Sequence, residues 1–199
     1  MHRVLITVAS ETDEAPCDLE VPAEVPAIQL DRLIARALHW EQDAAGLRVR
    51  HSIFVDPPGR LLGSRESLQE AGVCDGAALR LATFVSAFFE SPAGTIYPLH
   101  RAEVILGRAQ ATATDDLLDL AGEEAGQRTV SKQHAAVAFT KGLWQLAHLS
   151  TVNETVLNGH VLDPEDRLAL KEGDRVELGA VSLIFHIGDP PNQPLLTLP

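Results

Sequence analysis

A chain of 199 residues, 45% apolar and 22% charged, has ordinary folded-protein composition and is long enough for two compact domains of about 100 residues each. The formal charge of −12 is shared: eight basic against thirteen acidic side chains over residues 1–85, and eight against fifteen over residues 86–199. No Lys/Arg cluster offers the basic face that nucleic acid or an anionic membrane demands, so neither is expected as a partner.

Val4 to Val8 opens the chain as a β-rich run, and turn-type residues from Glu11 to Pro16 lead to a second run, Cys17 to Val21. Alternation there sets Cys17, Leu19 and Val21 on one face, the signature of a hairpin. Beyond Pro22 and Pro26, the three- and four-residue spacing of Leu30, Leu33, Ile34, Ala37 and Leu38 predicts an amphipathic helix from Ile28 to Glu41, with Arg32, Arg36 and Glu41 on the wet side. Strands are then expected at Arg48–Val55, at Leu61-Leu62 and at Ala78–Leu81, the last following the turn Asp75-Gly76. The order ββαββ calls for one sheet wrapped on one helix.

Cys17 and Cys74 lack CxxC spacing and read as free thiols in a reducing compartment. Met1-His2-Arg3 leads straight into the first strand, with no signal-peptide pattern. The longest apolar stretch, Ala77 to Phe89, is interrupted by Arg80, Thr83 and Ser86 and is shorter than the roughly 20 residues of a membrane span. A cytoplasmic protein with no membrane insertion is expected.

The N-terminal pattern resembles the ubiquitin-like β-grasp fold. In detail, Leu19-Glu20-Val21-Pro22-Ala23-Glu24-Val25-Pro26, the helix after it, and Glu70-Ala71-Gly72-Val73 through Leu79-Arg80-Leu81 are similar to the YukD-like domains associated with type VII secretion. The resemblance covers residues 1–84 and implies secretion-machinery components as partners. The chain continues past Leu81 with no terminal Gly-Gly, so ubiquitin-type conjugation is not expected.

From Ala87 onward the grammar changes. Short β-rich runs recur at Thr95–Leu99, Glu103–Leu106, His134–Phe139, Leu143–Leu149, Thr155–Leu157, Arg167–Leu170, Arg175–Leu178 and Val181–Ile187, many separated by Gly or turn residues. This spacing predicts a β-sandwich, with a Pro-rich tail after Gly188. The apolar junction Phe84–Phe89 contains no Gly and predicts a fixed interface between the halves.

Four signals stand in order within the second half: Leu106-Gly107-Arg108, Ser131-Lys132-Gln133-His134, Asn153 to Gly159, and Gly173 to Gly179. Together they resemble the forkhead-associated (FHA) domain, over a core of 87–187 within a second domain of 85–199. The resemblance implies a binding protein for phosphothreonine peptides, acting in Ser/Thr-kinase signalling. Arg108 would grip the phosphate, as a planar guanidinium does with two oxygens at once. Ser131 would donate to another phosphate oxygen, Lys132 would assist, and Thr151 belongs to the same phosphopeptide-binding set. Asn153 would hydrogen-bond the peptide main chain, to which its amide donors and acceptor are suited.

Gly107, His134, Asn158 and Gly159 would support the site. His134 would brace the loop presenting Ser131, and Asn158-Gly159 would form a hairpin turn. Ser131 and His134 carry no third orienting acid and no GxSxG elbow, so no catalytic residue is expected. The chain also lacks HExxH, P-loop, GxGxxG and zinc-ligand patterns, so no cofactor or metal is expected.

Three features depart from the family pattern. Val152 stands where many phosphothreonine readers carry a hydroxyl, Glu154 replaces the usual glycine, and the long 109–130 loop carries Asp115, Asp116, Asp119, Glu123 and Glu124. They motivate a second reading, a docking module that works without phosphate. Thr112, Thr114 and Thr129 in that loop are candidate phosphorylation sites for recognition by the chain's own or a neighbour's site.

Overall fold

The structure, a computed structural model, describes residues 2–10, 15–43, 46–56, 59–109 and 117–191. The loop residues Thr112, Thr114, Asp115 and Asp116 and the tail from 192 lie outside the described residues. The described residues form two compact units: the first is built on residues up to 85 with 100–104, the second on 86–99, 105–109 and 117–191.

In the first unit β1 (Arg3–Ser10), β2 (Cys17–Pro22), β3 (Val49–Asp56), β4 (Arg60–Leu61) and β5 (Ala77–Val85) form one sheet in the order β2-β1-β5-β3-β4. The central pair β1 and β5 runs parallel, and the β1–β2 and β3–β5 pairs run antiparallel. This is the β-grasp arrangement. Alternate residues Val4, Ile6 and Val8 of β1 meet Leu79 and Leu81 of β5 and Ile53 of β3 in the core, against Leu30 and Ile34 of the helix.

That helix, α1, spans Ala27–Leu38 and ends three residues before the expected Glu41. The cause is local: His39 adopts the left-handed conformation (φ 59°) and turns its N–H back onto the Ala35 and Arg36 carbonyls, which closes the last turn. At the other end Pro26 has no capping side chain, and the first free N–H groups, of Ala27 and Ile28, donate to the Glu66 and Ser64 carbonyls at 2.9 Å. The loop supplying them is held by a reciprocal bond, Ser67 Oγ to a Glu70 carboxylate oxygen at 2.9 Å and Glu70 N–H back to Ser67 Oγ at 3.2 Å. Two residues depart from the expected helix faces. Ala37 is exposed, and Asp31 is buried on the core side, where it pairs with Arg50 at 3.0 Å.

The second unit holds two sheets. One contains β8 (Glu103–Gly107), β9 (Leu117–Asp119), β10 (Ala135–Thr140), β11 (Leu143–His148) and β14 (Arg167–Ala169), in the order β14-β11-β10-β8-β9. The other contains β6 (Ala87–Glu90), β7 (Ile96–Leu99), β12 (Thr155–Leu157), β13 (His160–Val161), β15 (Arg175–Leu178) and β16 (Val181–Ile187), in the order β13-β12-β15-β16-β6-β7. Leu106, Val137, Leu146, Val176, Leu183 and Phe185 are fully buried, and along β10, β15 and β16 they alternate with residues that are less buried, as a sandwich requires. Phe89 of β6 and Phe185 of β16 sit directly opposite each other, with ring centroids 5.3 Å apart.

Besides the two-residue β13 at the end of the Asn158-Gly159 turn, three elements here go beyond the sequence reading. Ala87–Glu90 is a strand in its own right, β9 lies within the acidic loop, and a four-residue helix, α2 (Gly126–Thr129), precedes Ser131.

Candidate functional site

The strand order decides which side chains meet. β8 lies next to β10, and β10 pairs antiparallel with β11, with Ala135 opposite His148. The end of β8, the start of β10 and the end of β11 therefore meet at one edge of the sheet. Arg108 follows β8, Ser131 precedes β10, and Ser150 to Asn153 follow β11.

Three consecutive carbonyls tie these segments together. Asn153 Nδ2 donates to the Thr129 carbonyl at 2.8 Å, Arg108 Nε to that of Val130 at 3.2 Å, and the Arg108 backbone N–H to that of Ser131 at 3.0 Å. The Arg108 side chain is thus fixed through Nε, and its two terminal nitrogens make no hydrogen bond among the described residues. No carboxylate among the described residues pairs with it, Glu103 included. Gly107 makes the approach possible: a Cβ there would overlap the Lys132 carbonyl. Lys132 is exposed and Ser131 is half-buried.

His134 sits beneath the Ser131 loop and is fully buried. Its Nδ1 accepts the Ser131 backbone N–H at 3.1 Å, and its Nε2 lies 3.0 Å from the Glu154 carbonyl. A donor on one side and an acceptor on the other fix the tautomer with the proton on Nε2, which donates to Glu154. Both ring nitrogens are spent on backbone, and neither touches the Ser131 hydroxyl. Burial holds the ring below the ordinary histidine range, reinforced by His148 and opposed by the bond to Glu154, so the imidazole is neutral.

Thr151 is exposed, with no side-chain hydrogen bond among the described residues. The hydroxyl beside Ser131 belongs to Ser150, which the sequence reading missed; Ser131 Oγ and Ser150 Oγ are 2.8 Å apart. A serine entering a loop can close a turn with its hydroxyl, as Ser150 does by accepting the Val152 and Asn153 N–H groups, and its place after β11 is the one signal the sequence offered. Asn158 and Gly159 lie at the far end of β12, away from this cluster. Both have positive φ (51° and 84°), and Asn158 bonds Asp174 and the Arg175 N–H at 2.9 Å each, locking the β12–β13 hairpin to β15.

The departures find concrete places. Val152 is 79% exposed. Glu154 is exposed, while its carbonyl accepts from both His134 and the Gly179 N–H. In the acidic loop Asp119 accepts from the Ala109 and Ala121 N–H groups at 2.8 and 2.9 Å, and Glu123 accepts the Tyr97 hydroxyl. Thr129 Oγ1 donates to the Ala125 carbonyl and accepts the Ala180 N–H, so a phosphoryl group at Thr129 would remove the proton that makes the first of these bonds. Among the described residues no cluster of His, Cys, Asp or Glu is arranged to hold a metal, and no helix is long and apolar enough to cross a membrane.

Comparison with known proteins places two families on the chain. The family described as WXG100 protein secretion system (Wss), protein YukD, matches residues 3–81, and the FHA domain matches residues 104–179. No curated protein was found to match. Similar solved structures include the FHA domain of an Arabidopsis thaliana hypothetical protein, at 22% identity, TM-score 0.44, covering 54% of this chain and 90% of that one. Another is the N-terminal FHA domain of a S. cerevisiae protein in complex with a phosphothreonine peptide, at 22% identity, TM-score 0.41, covering 53% and 95%. A third, Mycobacterium tuberculosis EmbR in complex with a low-affinity phosphopeptide, has 17% identity and TM-score 0.44 over 80% of this chain and 30% of that one. The chain joins a YukD domain to an FHA domain, in that order.

Proposed function

We propose that the second unit binds phosphothreonine-containing proteins and that the chain is an adaptor in Ser/Thr-kinase signalling. The observation that carries this reading is the convergence of Arg108, Asn153 and Ser131 on the carbonyls of residues 129–131. It ties a guanidinium whose terminal nitrogens bond nothing among the described residues to the segment that carries the Ser131 hydroxyl, a donor set that a phosphate dianion can accept from. Asn153 spends one amide proton on Thr129 and retains its second proton and its carbonyl oxygen for an extended peptide main chain. The YukD domain supports a role in assembling or regulating a type VII-like secretion machine. The free thiols of Cys17 and Cys74 support a reducing, cytoplasmic location.

Calorimetric titration of the full chain with an oriented phosphothreonine peptide pool tests this. Binding is expected for the wild type, with loss on Arg108→Ala and on dephosphorylation of the peptides. The exposed Val152, which cannot donate to phosphate, favours the second reading, a phosphate-independent docking module. Equal affinity for phosphorylated and unphosphorylated partners would establish that reading in place of the first.

A further inference from the structure

The loop between β11 and β12 fixes which way a hydroxyl proton points. The Val152 and Asn153 backbone N–H groups each donate to Ser150 Oγ at 3.2 Å, and Ser131 Oγ lies 2.8 Å from the same atom. A serine hydroxyl has two lone pairs to accept with and one proton to give. Both lone pairs of Ser150 are occupied by N–H groups, which can only donate, so its proton goes to Ser131. The opposite polarity would crowd a third donor onto Ser150 Oγ. It would also leave the Ser150 proton without an acceptor in a residue only 7% exposed.

Ser131 therefore accepts from Ser150 and keeps its own proton free. A hydroxyl that accepts one hydrogen bond becomes a better donor in the next. We infer that Ser150 is a positioning residue for phosphate recognition: it forces Ser131 to act as a donor toward an acceptor-only group, the phosphate oxygens. This role rests on the phosphothreonine reading above and deepens it. It also supplies a physical reason why the site tolerates Val152: polarised Ser131 offsets part of the contact that valine forgoes.

The test is a double-mutant cycle on the full chain, using a phosphothreonine peptide selected from the oriented pool by the wild type. Ser150→Ala is expected to weaken binding about three- to tenfold, the worth of one hydrogen bond. In a Ser131→Ala background the loss should be clearly smaller, because the contact to Ser131 is already gone and only the bonds that Ser150 Oγ accepts from the Val152 and Asn153 N–H groups remain to be lost. Ser150→Thr, which keeps the hydroxyl, should restore affinity. Equal losses from Ser150→Ala in both backgrounds, or no loss in either, would overturn the inference.

A second measurement needs neither a variant nor a ligand. In the free protein the hydroxyl proton of Ser150 should exchange slowly with solvent and that of Ser131 quickly; a slow Ser131 proton and a fast Ser150 proton would reverse the assignment and sink the idea. A wild type that shows the expected exchange but binds no phosphothreonine peptide would refute the functional reading while leaving the hydroxyl polarity intact.

Discussion

Asn153 donates through Nδ2 to the Thr129 carbonyl at 2.8 Å, which links the loop after β11 to the end of α2, one residue before the Val130 carbonyl that Arg108 Nε holds. Asn153 therefore has two duties, one inside the fold and one toward a peptide. Asn153→Ala is expected to cost about 1 kcal/mol of stability, the worth of one neutral hydrogen bond, and to weaken phosphopeptide binding as well. Asn153→Asp should do worse, since a carboxylate has no proton to offer and would face the Thr129 carbonyl with like partial charge. Denaturant melts and titrations on the two variants separate the duties.

Gly107 provides a purely steric test of the same frame. Any Cβ at this position overlaps the Lys132 carbonyl, so Gly107→Ala must push the Ser131 loop away from Arg108. Relief by backbone movement is expected to cost about 1–3 kcal/mol, as for other overpacked sites. Peptide binding should fall further than that stability loss accounts for, because the distance between guanidinium and hydroxyl changes. A variant that keeps wild-type affinity would show that the close approach is unimportant for binding.

The buried imidazoles set a pH dependence with a definite sign. His134 and His51 are both held below their ordinary value, chiefly by burial, and burial together with the Arg50 and Arg32 charges pushes His100 down to about 4. A histidine with a depressed folded-state pKa contributes stability above its unfolded value of about 6.5 and loses it as pH falls through the folded value. Stability is expected to be level above about pH 6.5 and to decline from there toward pH 4. His134→Gln should flatten part of this decline. Phosphopeptide binding should fade over the same range, because a proton on His134 Nδ1 opposes the Ser131 N–H. Denaturant midpoints measured across pH 4–8 on both proteins check it.

What the sequence revealed depended on how each feature is encoded. Gly107-Arg108, Ser131 with His134, and Asn153 were legible without coordinates only as the ordered motifs that carry the FHA resemblance. The β-grasp unit was visible through periodicity, because Val4, Ile6 and Val8 alternate and Leu30 and Ile34 recur at helical spacing. β6 was hidden in the short apolar run Ala87-Phe88-Phe89, where alternation has nothing to act on. β9 and α2 have three and four residues, too few to show any period. Asp31 was unreadable because its burial depends on Arg50, nineteen residues away in sequence. Ser150 was not singled out beside Thr151 because neighbouring hydroxyls look alike in sequence, and only the turn geometry shows that Ser150 touches Ser131.

Val152 offers the reverse experiment, a gain of function. Its side chain is 79% exposed, so exchanging a methyl for a hydroxyl there removes no core packing and buries no polar group. Threonine has the same shape and β-branching as valine, which leaves the loop backbone preferences unchanged. The new hydroxyl would stand one residue before Asn153, in the loop whose N–H groups already close on Ser150. A hydrogen bond to a charged phosphate contributes about 1.5–3 kcal/mol, so Val152→Thr is expected to tighten phosphothreonine binding by about tenfold or more. Affinity for the unphosphorylated peptide should not move. If titration shows equal affinities for wild type and Val152→Thr, the phosphate does not lie beside residue 152, and its contacts must be sought closer to Lys132.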